Sequence, residues 1–291
     1  MAVHDTHIFS PQGFQELFSA LKSYPDAVLW AGGTLLLHGQ GERLLSLPRT
    51  LISLNGIGDL KGISRTERYL EVGAMATVGR LLKLEKILPP LLVSALRTLS
   101  SPHIRNLATI GGNLACQERR LDLYGPLMAL DALVELRSAS AARWLPLSRF
   151  APGPGSTALK TGELITRIRI PLETWSQHIY HKRGPQHWLT DETATLTLLA
   201  RTHKETISDL HFVYAGKSLV RDRELENQLV GKTLPLSRRE ARAWTDKWRT
   251  EMLSSKYPDE ISPAAFSALV EHALLALLPI DPGAPVVPYR S

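Results

Sequence analysis

Residues 104–113 read IRNLATIGGN, and residues 29–37 read LWAGGTLLL. Each segment sets two adjacent glycines before a small polar residue and a leucine: Thr34 and Leu35 in one, Asn113 and Leu114 in the other. Glycine lacks Cβ, so such a segment can take positive φ and let a ligand or another backbone approach closely. Successive N–H groups in a turn of this kind also form an anion-binding concavity. Taken alone, the first segment is either a tight turn or a phosphate cradle. Neither is followed by Gly-Lys-Ser/Thr and neither spells G-x-G-x-x-G, which removes two common nucleotide-loop readings. Two such segments suit a dinucleotide, whose two phosphates could be held by one loop from each of two lobes.

Outward from these segments, SPQGFQELFSALKSY is predicted to be a helix, with Ser10 as N-cap, Pro11 at the first helical position and Phe14, Leu17, Phe18 and Leu21 at helical spacing. AVLWAG reads as a short buried strand and TLISL as another, giving a small α/β unit. GDLKGISRTERYLEVGAM reads as a hairpin ending in a strand, followed by helices near Val78–Lys86 and Pro90–Leu99. Ser101 and Pro102 end the second helix, and IRNLATIGGNLAC reads as a loop. YGPLMALDALVELRS passes from helix to strand, APGPGSTALKTG is a loop, and ELITRIRIP alternates as a strand should. Beyond Pro171, TATLTLLART and ISDLHFVYAG read as antiparallel strands. Helices are expected near Leu219–Val230, Ser237–Thr250 and Ser262–Leu278, with an extended Pro-rich tail.

Hydrophobic residues make up 44% of the 291 and charged residues 21%, which fits a globular chain with a substantial core. The net charge of +6 raises nucleic acid as a partner, but Lys and Arg are dispersed or interleaved with acids, as in residues 216–249. That pattern reads as solvated helical surface, so no nucleic-acid site is expected. No apolar run approaches a membrane span, and the N-terminal residues lack a signal-peptide pattern, so a cytoplasmic location is expected. The single cysteine, Cys116, excludes an internal disulfide and an iron–sulfur cluster held by this chain's own ligands. It is either a reactive thiol or, as free cysteines often are, a small buried hydrophobe. His178, His181 and His187 lack partners at metal-ligand spacing, so no metal is expected. Trp244 and Trp248 stand four apart, as a packing face would place them.

With both glycine segments in view, the chain resembles the FAD-binding medium subunit of the molybdenum hydroxylases, the xanthine dehydrogenase and carbon monoxide dehydrogenase flavoprotein family. That family's AGGTDLL stands here as AGGTLLL, and its IRNVATIGGN as IRNLATIGGN; LISLNGIGDLKGI, LEVGAMAT, ELITRIRIP and LVGKTL also match. The resemblance implies an α+β chain with a two-subdomain FAD-binding fold of the vanillyl-alcohol-oxidase-like type. Its segments would be residues 1–57, 58–174 and a C-terminal α+β domain over 175–291, with a small antiparallel sheet and helices. It implies that Leu29, Trp30, Ala31, Gly32, Gly33, Thr34, Leu35 and Leu36 wrap the FAD diphosphate from one side. Thr109, Ile110, Gly111, Gly112 and Asn113 would do so from the other, with Asp122, Ile165, Lys182 and Leu99 also lining the cofactor. The flavin would collect electrons from iron–sulfur clusters (2Fe-2S) and deliver them to NAD+ or another acceptor. The iron–sulfur and molybdopterin-binding subunits would be separate chains, since one cysteine cannot hold the clusters. No catalytic side chain is implied, because the cofactor carries the redox chemistry.

Two departures stand out. The family's acid after AGGT is Leu35 here, and its small, polar stretch before Asp122 is replaced by ACQERRLD. Arg119 and Arg120 could meet a phosphate, point to solvent or touch a partner chain. Both departures leave room for a competing reading, an assembly subunit that keeps the fold without tight FAD binding. Trp30, beside the first glycines, packs either on the cofactor or on the core.

Overall fold

The computed structural model describes residues 5–38, 46–117, 121–151, 156–185, 190, 193–217, 219–254 and 263–279. It has the α+β architecture expected. A three-stranded parallel sheet, in order β1-β3-β2, is formed by β1 (His7–Phe9), β2 (Val28–Trp30) and β3 (Thr50–Ser53). Parallel neighbours need a crossover, and α1 (Phe14–Ser23) lies between β1 and β2. Its apolar stripe joins Leu17, Phe14, Phe18 and Leu21 to Leu29 and Ile52 in one small core. The helix starts later than expected. Gly13 is its N-cap, and the Gln12 N–H donates to Glu16 Oε2 at 2.9 Å, so a first-turn acid takes the role assigned to Ser10. β2 is also less buried than predicted, with Val28 exposed, because it is an edge strand.

The central sheet has the order β4-β5-β8-β6-β7 and runs antiparallel. Its strands are β4 (Ile63–Arg65), β5 (Tyr69–Gly73), β6 (Leu133–Arg137), β7 (Ala142–Pro146) and β8 (Leu164–Pro171). The alternation of β8 is real: Ile168 and Ile170 are buried while Arg167 and Arg169 reach Glu71 across the strands. Between β5 and β6 lie α2 (Val78–Leu82), α3 (Pro90–Thr98), α4 (Pro102–Leu107), α5 (Ile110–Ala115) and α6 (Tyr124–Ala129); α7 (Leu147–Phe150) follows β7. The helix expected over 78–86 stops at Leu82, and Glu85–Ile87 form a 3-10 turn.

Residues 104–116, read as a loop, are mostly helix. Ser101 does stand outside α3, but its Oγ accepts from the Ile104 N–H at 3.4 Å and caps α4, with Pro102 in the first turn. Thr109 repeats the device for α5.

The third sheet is an antiparallel meander, order β12-β11-β10-β9, built from β9 (Gln177–Arg183), β10 (Ala194–His203), β11 (Thr206–Ala215) and β12 (Leu219–Val220). α8 (Arg223–Asn227), α9 (Arg238–Ser254) and α10 (Pro263–Leu275) follow. The helix expected from Leu219 is therefore shorter: Leu219 and Val220 pair with β11, and Asp222 Oδ1 caps α8 through the Glu224 and Leu225 N–H groups. Trp244 and Trp248 both meet Phe212 edge-on, at 5.0 and 5.5 Å between centroids, confirming a packing face. Leu199, Val213 and Ala215 belong instead to the core of the central helices, so the meander is lined with apolar residues on both sides.

The charged run 216–249 is not all solvated. Arg221 and Glu226 are buried and paired at 3.2 Å. Arg221 also reaches Asp131 Oδ1 and the Met128 carbonyl, both at 2.6 Å, tying the meander to the α6–β6 turn. No helix among the described residues is long and apolar enough to cross a membrane. The Pro-rich tail from residue 280 lies outside the described residues.

Candidate functional site

The two glycine segments face each other across a cleft of about 450 Å³, lined on one side by Trp30, Ala31 and Gly32 and on the other by Asn106, Leu107 and Thr109. The first segment leaves β2 as a turn. Gly33 takes φ +70°, the left-handed region that favours glycine. A Cβ there would also sit 2.7 Å from the Trp30 ring, so Trp30 packs on its own turn as well as lining the cleft. Gly32 is pressed against the other lobe: a Cβ would stand 2.0 Å from the Leu107 carbonyl oxygen. The N–H groups of Gly32, Gly33 and Thr34 make no hydrogen bond with the described residues. Leu35 lies in the turn that follows, where its carbonyl accepts from the His38 N–H at 3.0 Å.

The second segment differs. The Thr109 Oγ1 accepts from the Gly112 N–H at 3.1 Å. Ile110 and Gly111 donate to the carbonyls of Ala76 and Ala74, at 3.1 and 2.9 Å. The donors expected to form an anion cradle in this segment are thus bonded within the protein. Gly111 permits the contact with Ala74, since a Cβ would come within 2.6 Å of the Ala74 Cβ. Gly112 lies 3.8 Å, by the same measure, from the Ala31 Cβ, and so closes the seam between the segments.

Sequence reading missed the side chains that give the cleft its charge. Lys61, at the end of a 3-10 turn, donates from Nζ to the Asn55 carbonyl at 2.6 Å. Arg80, in α2, donates from Nη1 to the Lys61 carbonyl at 2.5 Å. Both line the cleft, and neither has an acidic partner among the described residues. Thr77 caps α2 by accepting from the Arg80 N–H at 3.2 Å and bridges to Thr109. Lys61 sits inside the quoted GDLKGI, but 19 residues separate it from Arg80 and no local pattern links the two.

A second polar group follows the second segment. Asn113 Oδ1 accepts from the Leu123 N–H at 3.3 Å. Next to it, Asp122 pairs with Lys182 of β9 at 2.7 Å, both side chains buried. The Tyr180 hydroxyl reaches the Asp122 carbonyl, and burial, together with the Asp122 charge, raises the phenol well above its ordinary value. A buried ion pair of this kind is costly to break, because either partner alone is a desolvated charge. Leu99 and Ile165 are core residues that do not line the cleft; the Leu99 carbonyl accepts from Arg105 Nη1 at 3.2 Å at the end of α3. Leu29 belongs to the core under α1.

Cys116 is buried, as a small hydrophobe would be. Among the described residues no cluster of His, Cys or acid could hold a metal. Arg119, Arg120 and His187 lie outside the described residues.

The model of one protein family, the FAD binding domain in molybdopterin dehydrogenase, matches residues 4–173. The chain belongs to this family. FAD is therefore its cofactor, and the cleft fits that group's diphosphate: on one wall the Gly32 N–H, which makes no hydrogen bond with the described residues, and at its side two cations with no acidic partner among them. The glyceraldehyde dehydrogenase medium chain of Sulfolobus acidocaldarius is 28% identical over 230 residues, 77% of this chain and 80% of that one. The carbon monoxide dehydrogenase medium chain of Afipia carboxidovorans is 34% identical over 149 residues, 50% of this chain and 51% of that one. A structure of quinoline 2-oxidoreductase from Pseudomonas putida 86 superposes with a TM-score of 0.79 at 22% identity, covering 94% of this chain and 96% of that one. The shared fold is the two-subdomain, vanillyl-alcohol-oxidase-like one expected for the FAD-binding domain.

Proposed function

We propose that this FAD-binding chain is the electron-transfer subunit of a molybdenum hydroxylase. It takes electrons from 2Fe-2S clusters on one partner chain, which are fed by a molybdopterin-binding chain, and passes them to NAD+ or another acceptor. The observation that carries the reading is the cleft between the glycine segments, where Gly32, whose N–H makes no hydrogen bond with the described residues, shares the lining with Lys61 and Arg80. FAD, when bound, supplies the redox chemistry. The chain's own residues bind and orient it: the first segment and the two cations take the diphosphate, while the second segment sets the width of the cleft. Asn113, Asp122 and Lys182, which do not line that cleft, form a fixed polar group that follows the second segment. The single cysteine supports cluster ligands on a separate chain.

The absorption spectrum of the purified chain, before and after incubation with FAD, tests the reading. A flavin spectrum that survives gel filtration is expected. Protein that stays colourless with excess FAD would overturn it in favour of the assembly-subunit reading that Leu35 suggests. Charge-assisted hydrogen bonds are worth about 1.5–3 kcal/mol each. Lys61→Ala with Arg80→Ala removes two such contacts and should therefore weaken FAD binding about a hundredfold or more, with the circular dichroism spectrum unchanged.

A further inference from the structure

A second cavity, of about 240 Å³, shares no lining residue with the glycine cleft. It lies where the first turn of α3 meets β9, β10 and the segment after β8. Its walls are apolar, with Leu88, Leu91, Leu130, Leu199 and Trp175 among them. Arg65 and Lys86 line it as exposed cations, and neither has an acidic partner among the described residues. The one acid among its described lining residues, Glu173, is already paired with Arg201 at 2.8 Å. α3 opens here at Pro90 with no side-chain cap, and the N–H groups of Leu91 and Leu92 make no hydrogen bond with the described residues. The positive end of the helix thus adds to the two cations.

His178 supplies an independent observation. It is buried on β9 and lines the same cavity. Its Nε2 lies 3.3 Å from Ser94 Oγ, and the Ser94 hydroxyl donates to the Pro90 carbonyl at 3.2 Å. With the hydroxyl proton so committed, Nε2 is the donor to Ser94 Oγ. Nδ1 is left as an acceptor that no described residue uses. Burial lowers the pKa of this imidazole, which keeps it neutral near pH 7.

We propose that this cavity binds a small hydroxyaryl carboxylate. Its carboxylate is held by Arg65, Lys86 and the start of α3, its ring lies among the leucines and Trp175, and its hydroxyl donates to His178 Nδ1. The volume, about 240 Å³, is below the roughly 300–1,000 Å³ of sites for drug-sized ligands, which suits a single ring.

The test is titration of the purified full chain with 4-hydroxybenzoate, followed by ligand-observed NMR and tryptophan fluorescence. Saturable binding is expected. Binding of 4-hydroxybenzamide, which lacks the charge, and of 4-methoxybenzoate, which lacks the donor, should each be weaker by about tenfold. Arg65→Ser with Lys86→Ser, both at exposed positions, should weaken the acid about tenfold and leave the amide unchanged. Excess FAD should leave 4-hydroxybenzoate bound. The proposal is overturned by absence of saturable binding, by equal affinity for all three compounds, by insensitivity to the double substitution, or by displacement with FAD.

Discussion

The segments Ala31–Thr34 and Thr109–Asn113 are near-copies in sequence and opposites in structure. The first is a turn with a positive φ at Gly33 and three N–H groups that make no hydrogen bond with the described residues. The second opens a helix, and its Ile110, Gly111 and Gly112 N–H groups are all bonded within the protein. Paired glycines therefore serve two purposes here. In the turn they free the backbone to donate; in the helix they let backbones come together. The second segment and the residues before it form the surface against which the first is set, as Gly32 on Leu107 and Gly112 opposite Ala31 make plain.

The sharpest way to break this comparison is Gly32→Ala. A methyl group 2.0 Å from a backbone carbonyl oxygen cannot be relieved by a side-chain rotation, so the two lobes must part. A loss of about 3 kcal/mol is expected in urea denaturation, together with loss of bound flavin. Gly111→Ala comes next. It collides with Ala74, at 2.6 Å from its Cβ and 2.8 Å from its carbonyl oxygen, but gains helix propensity. The net cost should be about 1–2 kcal/mol. If Gly111→Ala proves the more harmful of the two, the seam at Leu107 is not what sets the cleft.

The contrast also explains what could be read ahead of the structure. α1 and the β10–β11 hairpin were legible because their apolar residues repeat at 3.6 and 2.0, and that repeat is the physics of burial itself. α4 and α5 were not. Pro102, Gly111 and Gly112 are poor helix formers, and what makes these helices is a pair of caps, Ser101 and Thr109, plus carbonyls from a distant strand end, Ala74 and Ala76. The glycine segments themselves stood out, and Asp122 and Lys182 came in by resemblance before the structure brought them into contact. Lys61 and Arg80 had no such signal. A cation lining a cleft is an ordinary surface residue in the sequence until folding sets it beside the glycine turn.

Thr109 offers a finer probe, because its side chain holds the Gly112 N–H out of the cleft's donor set. Thr109→Ser keeps the acceptor and should be close to neutral. Thr109→Ala removes the cap and should cost about 1 kcal/mol in urea denaturation. If the second segment contributes shape rather than donors, the alanine variant loses stability without gaining FAD affinity from the freed N–H. Tighter flavin binding in Thr109→Ala would mean that this donor is available to a phosphate and that the two segments are more alike than their hydrogen bonds suggest.

The smallest effect on stability, and the most discriminating, is expected from Gly112→Ala. The new Cβ would meet Thr109 Oγ1 at 2.9 Å, a side-chain contact that rotation about one bond can relieve at the expense of the cap. Loss of the cap costs about 1 kcal/mol. Replacing glycine by alanine inside a helix returns about the same amount. Denaturation should therefore change little. The methyl group nevertheless projects towards Ala31, at 3.8 Å, and narrows the seam through which the two segments share the cleft. FAD affinity, measured by flavin fluorescence on titration, should fall severalfold while the urea midpoint stays put. A variant that keeps full affinity would assign the width of the seam to packing alone, and a variant that loses both together would tie the cleft to the stability of α5.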